Sequence, residues 1–230
     1  MAYGKIIAFE GTDKAGKHTQ VTKTTEYLRA RGIATETLDF PQYNSFFGQI
    51  IKNYLNGNLG GVYDLPMEYS MLPYALDRQQ AQPQIAQWLR DGKWVILDRY
   101  TYSNVFSVAK CPRPQWNEKI KFMEELEFNQ MGIRRPDYNI YLYLDPVVSY
   151  NMRNTGLKPY QNGRPDIHES NLKLLQTVAD VYKHIAANAP TQWTIIDEMR
   201  PDGSRMGINS VFNRVRMIID RIIDQTRTRK

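Results

Sequence analysis

Residues 11–17 read Gly-Thr-Asp-Lys-Ala-Gly-Lys, a loop of the form G-x-x-x-x-G-K. It follows a short apolar run over residues 5–9 and opens a helical pattern over Lys17–Ala30. Glycines at its first and sixth positions let main-chain N–H groups converge on one point, and the helix N-terminus adds its positive end. Such a loop is built to cradle phosphate oxygens, with Lys17 placed to reach the outer phosphates of a nucleoside triphosphate. An ordinary glycine turn is the plain alternative, but the strand–loop–helix setting favours the phosphate reading. The residues expected to bind are Gly11, Thr12, Asp13, Lys14, Ala15, Gly16, Lys17, His18 and Thr19.

The position after Lys17 holds His18 where a hydroxyl usually serves as a ligand of Mg²⁺. A neutral imidazole suits so hard a cation poorly. Thr19 is displaced by about 100° around a helix and cannot simply take over. The expectation is therefore Mg²⁺ held by ATP phosphates, water and a carboxylate elsewhere. Asp98, in Asp98-Arg99-Tyr100, is the candidate, binding directly or through water. The adjacent Arg99 guanidinium can clamp a phosphate with two parallel hydrogen bonds.

These groups need a scaffold that brings strand ends together. Short apolar runs fall at 5–9, 35–40, 93–97, 138–144 and 192–196. Helical patterns lie between them, at Lys17–Ala30, 45–56, 66–90, 115–131, 146–154 and 167–188, with a last one over 209–226. This βα rhythm predicts an α/β fold: a three-layer α/β/α arrangement with a five-stranded parallel sheet covered on both faces. Ligands in such sheets bind beyond the carboxyl ends of the strands, where the polar motifs fall. No repeat or low-complexity linker interrupts the pattern, so one domain over 1–230 is expected.

The composition agrees with a soluble globular protein: 230 residues, 42% hydrophobic and 23% charged. Collagen-like, mucin-like and largely disordered chains are excluded. One cysteine, Cys111, and three histidines leave no Cys/His zinc cluster and no internal disulfide. The N-terminal stretch reads as neither signal peptide nor membrane span, so a cytoplasmic enzyme is the expectation. The net charge of +6 permits either nucleic acid or a small anionic substrate. Basic residues gather only near the end, at Arg214, Arg216, Arg221, Arg227, Arg229 and Lys230. There Val211, Val215, Ile218, Ile219, Ile222 and Ile223 recur at helical spacing, which favours a packed surface helix over a nucleic-acid-binding tail.

Taken together, the motifs resemble the thymidylate kinase family of P-loop nucleoside monophosphate kinases nearly end to end. FEGTDKAGKHTQ resembles its phosphate loop, LDFPQY its Phe-Pro segment, and YALDR, Tyr74 to Arg78, the aromatic-x-x-x-Arg element of its base pocket. DRYTYSN, RRPDYNIYLYLD and RPDIHES resemble the Asp-Arg-Tyr-x-x-Ser segment, the entry to the fourth strand, and the lid's Asp-x-x-Glu, here Asp166 and Glu169. The resemblance implies a P-loop kinase-type three-layer α/β/α fold with a small lid at about 151–165, and transfer of the ATP γ-phosphoryl to dTMP, with Mg²⁺ as cofactor. It further implies a homodimer, without nucleic acid or membrane as partner. By match, Asp13 bonds the sugar 3′-hydroxyl and Tyr74 stacks on thymine. Arg78 and Asn104 read the base edge and Arg99 holds the monophosphate, with Phe40 and Ser103 also on the substrate side. The implied catalytic set is Lys17, Lys14, Arg99, Asp98 and, from the lid, Arg153 and Arg164. Where family members often carry arginine after Phe-Pro, this chain has the uncharged Gln42 and Tyr43. The competing readings are another nucleoside monophosphate kinase, such as one accepting dUMP, and a nucleotide-binding protein with weak turnover. A deoxynucleoside kinase usually has Glu-Arg-Ser where this chain has Asp98-Arg99-Tyr100.

Overall fold

The computed structural model describes residues 3–161 and 163–228. Its strands are β1 Ile6–Glu10, β2 Thr35–Asp39, β3 Trp94–Asp98, β4 Tyr138–Tyr143 and β5 Trp193–Asp197. The helices are α1 Lys17–Ala30, α2 Phe46–Leu55, α3 Met67–Gln80, α4 Gln82–Arg90, α5 Val105–Val108, α6 Trp116–Glu124, α7 Pro146–Asn151, α8 Leu172–Asn188 and α9 Ile208–Thr228. The five strands form one parallel sheet in the order β2-β3-β1-β4-β5.

Strand β1 is buried along its whole length because both faces of the sheet are covered. Ile7, Phe9, Ile96, Ile140 and Leu142 pack under α1 and α9 with Val21, Leu28, Val215 and Ile219. The alternate residues Ile6, Ala8, Val95 and Leu97 pack under α4. Tyr141 joins the cluster formed by α5 and α8 on that same side. These are the three expected layers.

The strand order matters for the site. The chain leaves β1 past β3 to reach β2 at one edge, and leaves β3 past β1 to reach β4 on the other side. Connections diverging from two adjacent strands open a crevice at their carboxyl ends. Parallel register then sets the neighbours there: Phe9 pairs with Asp98, and Asp98 with Asp39. The phosphate loop, the Asp98-Arg99 turn and the end of β2 thus lie side by side.

Several expected boundaries shift. The helix expected over 66–90 is two helices that meet at Ala81, because Pro83 lacks an N–H and belongs in the first turn of α4. The pattern at 115–131 is α6 followed by a π-helical stretch, Glu125–Gln130. Helix α7 stops at Asn151 rather than 154. Helix α8 starts at Leu172 rather than 167, since Asn171 caps it through the Leu174 N–H while Asp166 holds residues 166–169 in a turn. The basic C-terminal segment is a packed helix, with Val211, Val215, Ile218, Ile219, Ile222 and Ile223 all buried. Arg229, Lys230 and the Arg227 side chain, counted in that basic group, lie outside the described residues.

Candidate active site

The phosphate loop has the backbone its function requires. Gly11 has φ 151°, and a Cβ there would lie 2.6 Å from the Leu142 carbonyl oxygen, so only glycine fits. Gly16 caps α1 in the left-handed conformation, with φ 68° and no side chain over the first helical N–H groups. Those donors remain directed at the crevice. Lys14 also has a positive φ, 67°, unusual for a residue with a Cβ. Its carbonyl is held at 2.8 Å by Arg205 Nη2, and Arg205 is itself fixed by Glu198 at 2.8 Å. This brace carries the strain from the β5–α9 loop. The Lys17 ammonium lies inside the loop and donates to the Thr12 carbonyl at 2.8 Å. Burial, and then the nearby Arg99 charge, lower its pKa to about 8.

Arg99 is the second residue in a left-handed conformation, at φ 64°. That turn folds its guanidinium back across the end of β1. Nη1 donates to the Gly11 carbonyl at 2.7 Å and Nη2 pairs with Asp13 at 3.0 Å. Burial opposes its charge, but Asp13, Asp98 and Glu10 more than compensate and raise its pKa. Burial likewise works against ionised Asp13, yet Arg99, Lys158 and Lys17 hold it well below the usual carboxylate range. Lys158 approaches from the opposite wall, its Nζ 3.5 Å from Asp13 Oδ1 and 5.7 Å from the centre of the Tyr43 ring.

Two depressions meet at this cluster. One is a narrow pocket, lined by Phe40, Tyr74, Arg78, Ser103 and Asn104 and closed on the other side by Tyr160, Asp166 and His168. Aromatic walls with a few convergent polar groups suit an organic ligand with a polar edge. The other is an open cleft lined by Lys17, His18, Asp39 and Asp98. Asp13, Arg99 and Lys158 line both. A further hollow behind the loop is lined by Lys14, Ala15, Gly16, Thr19 and Arg205.

The polar wall of the cavity is held rigid from behind. Ser103 Oγ donates to Glu10 at 2.6 Å, and Glu10 also accepts from the Tyr182 hydroxyl and the Tyr100 N–H. Burial raises the Glu10 pKa, with these partners and Arg99 pulling it back. Arg78 is buried against Glu127, and Asn104 donates to the same carboxylate at 2.6 Å. Tyr74 closes one side, packing with Ile51, Tyr54 and Leu55 of α2. His168 stacks on Phe106 with ring centres 5.0 Å apart, and burial lowers its pKa to about 3, which keeps it neutral.

Lid and phosphate loop are joined by a chain of polar contacts. Lys14 pairs with Glu169 at 3.3 Å, Glu169 accepts from Gln161 at 2.5 Å, and Gln161 accepts from the Lys158 N–H at 2.6 Å. Asp166 accepts from the backbone of His168 and Glu169 and from the Tyr160 hydroxyl. Burial, with the charges of Asp13 and Glu169, pushes the Asp166 pKa up to about 7.

Of the residues expected from sequence, the loop residues, Asp98, Arg99, Phe40, Tyr74, Arg78, Ser103 and Asn104 come together at this crevice. The lid arginines do not. Arg153 folds back on Tyr150, with its guanidinium 3.9 Å from the ring centre and its Nη1 on the Tyr150 carbonyl, and Arg164 is exposed. The lid cation at the site is Lys158. The carboxylate assigned to the cation, Asp98, has Asp39 beside it, and His18 Nδ1 lies 3.9 Å from Asp98 and 3.7 Å from Asp39. The three ligand atoms lie within 4.8 Å of one another.

A family model described as thymidylate kinase matches residues 9–203. The chain belongs to the thymidylate kinase family. Its relatives include a thymidylate kinase of Mycobacterium tuberculosis, 31% identical over 195 residues that cover 83% of this chain and 90% of that one. A thymidylate kinase of Danio rerio is 26% identical over 205 residues, covering 86% and 84%. The solved structure of thymidylate kinase from Candida albicans matches the fold with a TM-score of 0.72, covering 96% of this chain and 92% of that one at 22% identity. The expected fold class and family are thus borne out.

Proposed function

We propose that this site transfers the γ-phosphoryl group of ATP to the 5′-phosphate of dTMP, giving ADP and dTDP. The observation that carries the reading is Arg99: a buried cation, fixed between the Gly11 carbonyl and Asp13, in the wall shared by cavity and cleft. A guanidinium there faces one anion in the phosphate loop and another at the cavity mouth. The acceptor nucleoside enters this pocket, its base between Tyr74 and the Arg78–Asn104 wall and its sugar near Asp13. The ATP phosphates fit the loop, and the hollow beside Thr19 and Arg205 receives the rest of the donor.

The nucleophile is a phosphate oxygen. The second pKa of a phosphomonoester is about 6, so the oxygen is already deprotonated at neutral pH and needs no general base. Catalysis then consists of alignment and neutralisation of the charge that spreads over the transferring group. Lys17 faces the outer phosphates, Arg99 the junction, and Lys158 closes on the acceptor side from the lid. Lys158 supplies the cation that the uncharged Gln42 and Tyr43 do not. Lys14 ties lid to loop through Glu169, and Phe106, His168 and Tyr160 keep water from the cavity.

The donor set at the strand ends fits a hard divalent cation. Asp39 and Asp98 supply adjacent carboxylate oxygens, made neighbours by strand register, and burial raises the Asp39 pKa as two anions converge. A Mg²⁺ ion held there with the ATP phosphates would withdraw negative charge from the transferring group.

The chain forms one kinase domain with its lid at about 151–165, and acts as a homodimer in the cytoplasm. Support for the dimer comes from Tyr69, Leu72 and Phe122, exposed apolar side chains on α3 and α6 that flank the Lys119–Glu68 ion pair joining the two helices. Among the described residues no helix is long and apolar enough to cross a membrane. Diphosphate formation from a panel of dTMP, dUMP, dCMP, dGMP and thymidine, in Mg²⁺ and in Mn²⁺, tests the assignment. Preference for dTMP is expected, and turnover of thymidine in its place would overturn it.

A further inference from the structure

Resting on the reading of the cavity as the acceptor-base site, we propose that Glu127 determines which pyrimidine edge the enzyme accepts, by fixing the hydrogen-bond polarity of Arg78 and Asn104. Glu127 is fully buried and lies on the π-helical stretch Glu125–Gln130 that interrupts the end of α6. Local widening of this kind often serves a site rather than stability. Three donors converge on its carboxylate: Arg78 Nε at 3.0 Å, Arg78 Nη2, and Asn104 Nδ2 at 2.6 Å. An ionised carboxylate only accepts, so it admits one orientation of each partner.

For Asn104 that orientation places the NH₂ group toward Glu127, with the Met71 carbonyl at 3.4 Å as its second acceptor. The amide oxygen accepts nothing among the described residues, and Asn104 lines the cavity. For Arg78, Nε and Nη2 are committed to Glu127, and Nη1 is the donor left over beside the same cavity. The wall therefore offers a donor next to an acceptor. Thymine presents the complement, a C4 carbonyl beside an N3–H. Cytosine presents the reverse, a C4 amino group beside an unprotonated N3. Against cytosine both pairs meet like with like, which leaves buried polar groups unpaired.

The test compares dTMP with 5-methyl-dCMP, which differ only along that edge. The unaltered enzyme should prefer dTMP by roughly a thousandfold or more in kcat/KM, as sites built on hydrogen-bond complementarity do. In Glu127→Gln the carboxamide has one accepting atom for three donors, so Arg78 or Asn104 must turn away. The preference is then expected to narrow by about a hundredfold, with KM for ATP unchanged. A folded Glu127→Gln enzyme that loses activity on both nucleotides equally, or keeps the full preference, overturns the proposal. Glu127→Asp keeps an acceptor-only group, so its preference should stay within about tenfold of the unaltered enzyme even if turnover falls. Collapse of the preference in Glu127→Asp would also overturn it, and this variant carries the test should Glu127→Gln not fold. Failure of the unaltered enzyme to use dTMP would instead refute the cavity assignment itself.

Discussion

Lys158 is the residue whose removal says most about the lid. In Lys158→Met the apolar stem remains and the charge is lost, leaving Asp13 with Arg99 as its nearest cation. Two unit charges about 4 Å apart at an effective dielectric of 20 interact by about 4 kcal/mol. The Lys158 side chain is 40% exposed, so solvent screening reduces this. About 1.5–3 kcal/mol of stabilisation of the acceptor phosphate is a reasonable remainder, which corresponds to about 10–100-fold in rate. The assay is steady-state ADP release with dTMP and ATP varied separately. kcat/KM for dTMP is expected to fall by that factor, KM for ATP to move little, and Lys158→Arg to recover most of the loss. With Lys158 proposed to replace a charge after Phe-Pro, Tyr43→Arg in the Lys158→Met background should restore part of the activity. An unchanged kcat/KM for dTMP in a folded Lys158→Met enzyme would show that the lid lysine does not serve the acceptor phosphate.

Replacement of Lys17 or Arg99 by alanine should abolish turnover while leaving the thermal midpoint within a few degrees, measured by ADP release and calorimetry; near-normal kcat in a folded Lys17→Ala enzyme would defeat its assignment. The pH profile carries a sign. Burial and Arg99 lower the Lys17 pKa to about 8, so in the free enzyme its charge is present below that pH and lost above it. kcat/KM for ATP should therefore decline above about pH 8, whereas kcat should persist higher because bound phosphates favour the ammonium form. A profile of kcat/KM flat to about pH 10 would contradict this. Tyr74→Ala should raise KM for dTMP far more than KM for ATP; equal changes would make the ring packing for α2 rather than a platform for the base.

Much of the fold and the central part of the site could be read in the sequence because they rest on local rules. The loop at 11–17 needs its glycines at fixed offsets, and alternating strands and helices leave few topologies. What escaped was tertiary. Lys158 is one lysine in a polar stretch, and nothing in its neighbours says that the turn at Pro159–Gln161 swings it over Tyr43. Arg153 and Arg164 drew attention by charge alone, but charge does not say where a loop side chain points. Asp39 joins Asp98 only through β2–β3 register across some sixty residues of intervening chain. Glu10 and Glu127 read as unremarkable acids; the signal available for Glu127 was that Arg78, once buried, requires a buried counter-charge. The π-helical widening that delivers it leaves no trace in a 3.6-residue pattern. Brace residues Glu198 and Arg205 lie far from the loop in sequence and serve its strained Lys14 backbone.

In the proposed reaction two anionic nucleotides meet across Arg99. A crystal structure of the enzyme with ADP and dTMP bound together tests it most directly. The ADP phosphates are expected on the amides of residues 11–17, thymine between Tyr74 and Asn104, and the dTMP phosphate on Arg99 with Lys158 closing from the lid. A ternary complex with the loop vacant, or with the dTMP phosphate away from Arg99, would contradict it.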